Sequence, residues 1–155
     1  MLLIICSGCG TVRRTAVKQV GQALSGEATM MVITSDNDPE LIWDAMPFAL
    51  KTMEVMLSQD PTNEDLYLSA ASGYIQYAYG YLALNAQILE NSDYKKSQHL
   101  WKRTYNLSLR GRDYALDALE LRYPGFSKNI RNNTEATLAR TTLEDVPSLY
   151  WAAAG

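Results

Sequence analysis

Cysteine and histidine are almost missing from this chain, with 2 Cys and 1 His in 155 residues. That is too few ligands for a Cys/His zinc site and too few thiols for a disulfide scaffold. Phenylalanine is scarce at 2 residues, and proline and glycine are modest at 5 and 9, which excludes a collagen-like or linker-dominated chain. Positive charge is not in excess: the net charge of −3 argues against a generic nucleic-acid binder. Charged residues make up 20% and hydrophobic residues 47%, too apolar for a disordered chain. A chain of this size buries roughly 68–70% of its unfolded surface, enough for one domain with a core. What is abundant is tyrosine, with 10 residues. Each ring must pack while its hydroxyl finds a partner, which points to a polar interior surface or groove.

Met1-Leu2-Leu3-Ile4-Ile5 is a short apolar run closed by Cys6-Ser7-Gly8-Cys9-Gly10. Small residues between an apolar stretch and a cysteine resemble a bacterial lipobox. Cys9 is then the expected lipidated residue, residues 1–9 a remnant of a lipoprotein signal, and residues 10–155 a helical domain. Cys6 fits poorly at its place before Cys9 and no basic leader precedes the run, so a truncated start is expected. A Cys-x-x-Cys redox pair competes with this reading, but it needs a strand–helix unit, and none is visible. A plain first strand or helix is the other alternative.

No stretch alternates apolar and polar residues for long, and several repeat at helical spacing, so the fold is expected to be all-α. A short basic helix is predicted over 11–24, with Val17, Val20 and Leu24 on one face. Residues 27–37 read as a loop with one extended candidate, Met30-Met31-Val32-Ile33. Asp38-Pro39-Glu40 is a strong helix start. That helix should run to about Ser58, burying Ile42, Met46, Ala49, Met53 and Met56 and bending at Pro47. Asp60-Pro61 is expected to cap a third helix running to about Glu90. Asp93 should start a fourth, to about Leu121, ended by Tyr123-Pro124-Gly125. An irregular stretch then leads to a last helix capped by Thr141 or Thr142.

The third helix carries 24 residues without a charge, Leu66 to Leu89. Its length would allow a membrane span, but Ser69, Ser72, Gln76, Asn85, Gln87 and five tyrosines argue for a helix buried in a helical array. Tyr67, Tyr74 and Tyr81 recur every seven residues, while Ala70, Gly73 and Gly80 allow close approach of a neighbour. Tyr74, Tyr77 and Tyr81 are candidates to line a groove or passage; tight core packing is the alternative.

Charge is unevenly spread. Residues 27–65 hold nine acids and one base, and residues 95–112 hold six bases and no acid. Within the basic block, Arg110 and Arg112 could take a carboxylate with a bidentate guanidinium. Alternatively Arg110 pairs with Asp113 or reaches the acidic second helix. His99 has no evident Ser or Cys partner for a catalytic dyad. Asp36, Asp38 and Glu40 are spaced like the start of a calcium loop, but Leu41 and Pro47 stand where Gly and Glu are needed, so capping is the better reading. No catalytic residue, metal or cofactor is therefore expected.

Residues 49–63, ending Asp60-Pro61-Thr62-Asn63, resemble the closing half of a tetratricopeptide repeat, and Ala115-Leu116 through Pro124-Gly125 look like a second copy. Their prolines stand 63 positions apart, against about 34 in that repeat, so any array is degenerate. Ser35-Asp36-Asn37-Asp38-Pro39-Glu40-Leu41, Ala45-Met46-Pro47-Phe48-Ala49-Leu50-Lys51, Leu109-Arg110-Gly111-Arg112-Asp113-Tyr114 and Leu143-Glu144-Asp145-Val146-Pro147-Ser148-Leu149-Tyr150-Trp151 stand in the order seen in the TatT family. These are T-component lipoproteins associated with TRAP transporters.

The resemblance implies an all-α array of antiparallel helices with cryptic tetratricopeptide-like repeats. It also implies a periplasmic lipoprotein anchored to the outer membrane through Cys9, a homotrimer with a solute passage in each protomer, and no enzymatic activity. Its expected partners are a substrate-binding P-component and a small organic acid or other hydrophobic or anionic ligand. Family members look roughly twice as long, so this chain is expected to match their N-terminal half. A helical-repeat scaffold for protein–protein interaction at the outer membrane is the competing reading. A hydrolase with scattered catalytic residues is a distant third.

Overall fold

The computed structural model describes residues 19–21 and 27–155. Cys9 and most of the predicted helix 11–24 lie outside these residues. Residues 19–21 are helical, with Val20 exposed and Gly21 against Asn63 and Leu66. Beyond them the described residues form α1 (Glu27–Thr34), α2 (Pro39–Gln59), α3 (Glu64–Tyr77), a π-helical segment (Ala78–Ala83), α4 (Leu84–Leu89), α5 (Tyr94–Arg122), α6 (Phe126–Asn132) and α7 (Thr134–Leu138). A 3₁₀ turn (Leu143–Asp145) and α8 (Val146–Ala154) follow. The described residues contain no strand, so the all-α expectation stands.

Two expected irregular stretches are helical. The extended candidate Met30–Ile33 is part of α1, because a short apolar run has no period that separates strand from helix. The irregular stretch after Gly125 is α6 and α7, the latter capped by the Asn133 side chain, which accepts from the Ala136 amide at 3.1 Å.

Helix starts follow side-chain caps. Asp38 accepts from the Leu41 amide at 3.1 Å and Asp93 from the Lys96 amide at 3.0 Å, as their positions predict. The cap of α3 is Asn63, accepting from the Leu66 amide at 3.1 Å, and not Asp60. Asp60 instead closes α2 by giving its amide to Met56. Asp36 and Asp38 serve this turn: the Asp36 carboxylate accepts from the Asp38 amide at 2.8 Å. The last helix begins with a 3₁₀ turn, where Thr142 and Asp145 form a reciprocal capping box. Gly125, at φ 84°, takes the left-handed conformation that turns the chain after α5, and its amide bonds to Glu120.

α5 is the axle of the fold, packing on α3, the π segment, α4, α6 and α8. α2 lies on the other side of α3, and the short connection between them makes the pair antiparallel. The α2 stripe is Met46, Leu50, Met53 and Leu57; Ile42, Ala49 and Met56, expected in it, are only half-buried at its edges. The helix continues through Pro47, which is exposed. Small residues set the closest approaches. A Cβ on Gly111 would stand 2.6 Å from Ile75 and 2.8 Å from the Ala71 carbonyl, and one on Gly73 would stand 2.8 Å from Leu50. Among the described residues no helix is long and apolar enough to cross a membrane.

Candidate functional site

The tyrosines of α3 form the floor between α2 and α5. Tyr74 is 2% exposed, and its hydroxyl donates to Glu54 of α2 at 2.6 Å. Arg110 of α5 reaches over it to the same carboxylate oxygen at 3.3 Å and to the Tyr74 hydroxyl at 3.5 Å, its guanidinium 5.4 Å from the ring centre. This geometry combines an ion pair with a cation–π contact. Lys51 also bonds to Glu54. Tyr114 of α5 stacks on Tyr74 at 5.8 Å and meets Tyr67 at 6.0 Å.

The electrostatics follow from this crowding. Burial works to raise the Glu54 carboxyl, but bonds from Lys51, Tyr74 and Tyr114 outweigh it and hold it below the ordinary glutamate range. Burial, then the bond to Glu54, pushes the Tyr74 hydroxyl up to about 12. Burial and the Glu54 charge raise Tyr114 as well. These hydroxyls are donors, not nucleophiles, at neutral pH.

Further along, the π segment inserts a wider turn between Tyr74 and Tyr81. The seven-residue recurrence therefore does not carry through to the third tyrosine. Tyr81 stands beside Tyr77 at 5.4 Å and stacks on Trp43 of α2 at 5.8 Å, and these rings share one core cluster with Tyr74 and Tyr114. A Cβ on Gly80 would meet the Trp43 edge at 3.0 Å. Tyr77 is 5% exposed; burial raises its hydroxyl, and the nearby Arg103 works against that. Tyr81 is half-buried and Tyr79 is exposed.

Arg110 and Arg112 do not share a site. Two helical residues apart, they leave α5 on nearly opposite sides. Arg110 faces the tyrosines, while Arg112 pairs with Asp113 at 2.7 Å and faces a hollow of about 900 Å³ between α5, α6, α7 and α8. A smaller hollow of about 280 Å³ lies where α1, α2 and α3 meet, lined by Ile33, Trp43, Met46 and Gly73. Glu54, Trp43, Tyr114 and Arg103 were not singled out as site residues from the sequence. The one available signal was the acidic block facing the basic block, which joins Glu54 to Arg110.

A family model described as TRAP transporter T-component matches residues 35–155. An uncharacterized protein of Treponema pallidum (strain Nichols) is 30% identical over 168 aligned positions, which take in 98% of this chain and 52% of the relative. The chain thus spans about half the length of the curated relative it matches.

Proposed function

The chain belongs to the TRAP transporter T-component family, and from that premise we propose that it docks a periplasmic substrate-binding P-component and passes a small, anionic organic ligand along the tyrosine seam between α2 and α5. The family is a transporter accessory component associated with the periplasm and is not known as an enzyme. In this reading the chain is a lipoprotein held at the outer membrane by Cys9, assembles as a homotrimer, and builds its helix pairs as degenerate tetratricopeptide-like repeats.

The observation that carries the ligand reading is Arg110. Its side chain is 46% exposed at the edge of the seam, so one side of the guanidinium rests on Tyr74 and Glu54 while the rest is open. An incoming carboxylate competes with Glu54 for it, and Arg110 is the more exposed end of that pair, 46% against 16% for Glu54. Tyr77 and Tyr81 are the other candidate contacts; Arg112, on the far side of α5, is not on this path.

The test is recovery of the tagged chain from the periplasm, with mass spectrometry of bound proteins and small molecules. Wild type should carry a TRAP substrate-binding protein and an organic acid. The variant Tyr74→Phe/Tyr81→Phe/Arg110→Gln should keep the protein and lose the acid. Absence of the binding protein refutes the docking role; retention of the acid by the variant refutes the seam as its path. The near-complete burial of Tyr74 and Tyr77 favours a second reading, a helical scaffold for protein–protein interaction. That reading expects a bound protein, no acid in either sample, and a loss of about 0.5–1.5 kcal/mol of stability for each hydroxyl bond removed.

A further inference from the structure

On the flank of α5 that carries Arg112, the hollow of about 900 Å³ falls within the range of roughly 300–1,000 Å³ typical of small-molecule sites. Its walls are mostly apolar, including Leu116, Phe126, Ile130 and Leu149. Four charged side chains share the lining, and two of them satisfy each other: Arg112 gives Asp113 two bonds, at 3.1 and 2.7 Å.

The remaining two are Asp117 on α5 and Arg131 on α6, both solvent-exposed residues. Among the described residues Asp117 has no hydrogen bond and no ion pair, and the charges that bear on it, Asp113 and Glu120, are also negative. Partial desolvation, then these two carboxylates, raises its carboxyl above the ordinary range. Arg131 turns its Nε onto the Ser127 carbonyl at 3.0 Å, which leaves both terminal nitrogens of the guanidinium unengaged. Two uncommitted charges of opposite sign therefore line one apolar hollow without pairing with each other.

We propose that this hollow binds an amino-acid-type zwitterion with apolar side chains, of dipeptide size. Its ammonium sits against Asp117 and its carboxylate against the Arg131 fork, with the side chains on Leu116, Phe126, Ile130 and Leu149. A planar guanidinium with two free nitrogens matches a carboxylate edge. A plain organic acid would satisfy Arg131 but would leave Asp117 facing further negative charge. A plain amine would leave Arg131 unmet. Only a ligand with both charges and an apolar body answers all three features. The hollow borders the seam, since burial, then the charge of nearby Asp117, raises the Tyr67 hydroxyl, but its proposed ligand is a different one.

Isothermal titration of the purified chain with Leu-Leu, N-acetyl-Leu-Leu and Leu-Leu amide tests this. Leu-Leu should bind about tenfold or more tighter than either blocked form, since each blocked form loses one charged contact. Asp117→Asn should abolish the discrimination against the acetyl form only, and Arg131→Gln the discrimination against the amide only. Equal affinities of wild type for all three ligands, or no binding of Leu-Leu by chain shown to be helical by circular dichroism, overturn the proposal. The ligand series on wild type decides the matter even if a variant fails to fold.

Discussion

At the scale of single residues, Asp145 shows how a local signal conceals a tertiary role. In the sequence it is an acid in the first turn of the last helix. In the structure it is 1% exposed and accepts from the Tyr123 hydroxyl at 2.7 Å, the Thr142 amide at 2.8 Å and Arg122 at 3.1 Å. Burial alone would raise its carboxyl, but these donors outweigh burial and hold it below the ordinary aspartate range. A carboxyl depressed in the folded state stabilises the fold above its unfolded pKa, and that contribution is lost as pH falls through the folded value. Asp145→Asn should therefore cost about 2–3 kcal/mol at pH 7, and the gap to wild type should narrow below about pH 4. Urea unfolding at pH 7 and pH 3 checks this; an equal gap at both would show that the carboxylate charge is not what holds the turn.

Among the elements, the crossing of α3 and α5 is the tightest and the most exposed to substitution. Gly111→Ala would drive its new methyl against the Ala71 carbonyl, a backbone atom that cannot swing away. Overpacking costs about 1–3 kcal/mol, while replacing a helical glycine by alanine returns up to about 1 kcal/mol. Net destabilisation of about 1–2 kcal/mol is expected for Gly111→Ala in chemical denaturation. Gly73→Ala should cost less, because its methyl meets the end of the Leu50 side chain, which can rotate. Equal or opposite effects of the two would mean that the crossing is not set by Gly111. Nothing in the spacing of Gly111 distinguishes it from Gly80, which is exposed; only the position of the neighbouring helix does.

For the molecule as a whole, the acidic and basic blocks meet, among the described residues, at one ion pair, Glu54 of α2 with Arg110 of α5. Glu64 meets Arg122 just past the basic block. These pairs are partly exposed and weak one by one. No described helix is long and apolar enough to cross a bilayer, and the anchor proposed for this chain is a lipid on Cys9. Cys9→Ala should move the chain from the membrane fraction to the soluble fraction of cells. If it stays with the membrane, Cys9 is not the anchor.

The helical class, the starts at Asp38 and Asp93 and the stop at Gly125 were legible because caps and turns are contacts between residues two to four apart. The cap at Asn63 was missed because Asp60-Pro61 offered the same chemistry three residues earlier. The site depended on contacts 20 residues apart, Tyr74 to Glu54, and 56 apart, Arg110 to Glu54. Helical periodicity already separates Arg110 from Arg112, but only the packing of α5 decides that one faces tyrosines and the other a hollow. The π turn likewise interrupts the regular tyrosine repeat before Tyr81, which packs on Trp43 of α2. Local hydrogen bonding fixes where a helix begins and ends; what its side chains meet depends on helices brought beside it from distant parts of the chain.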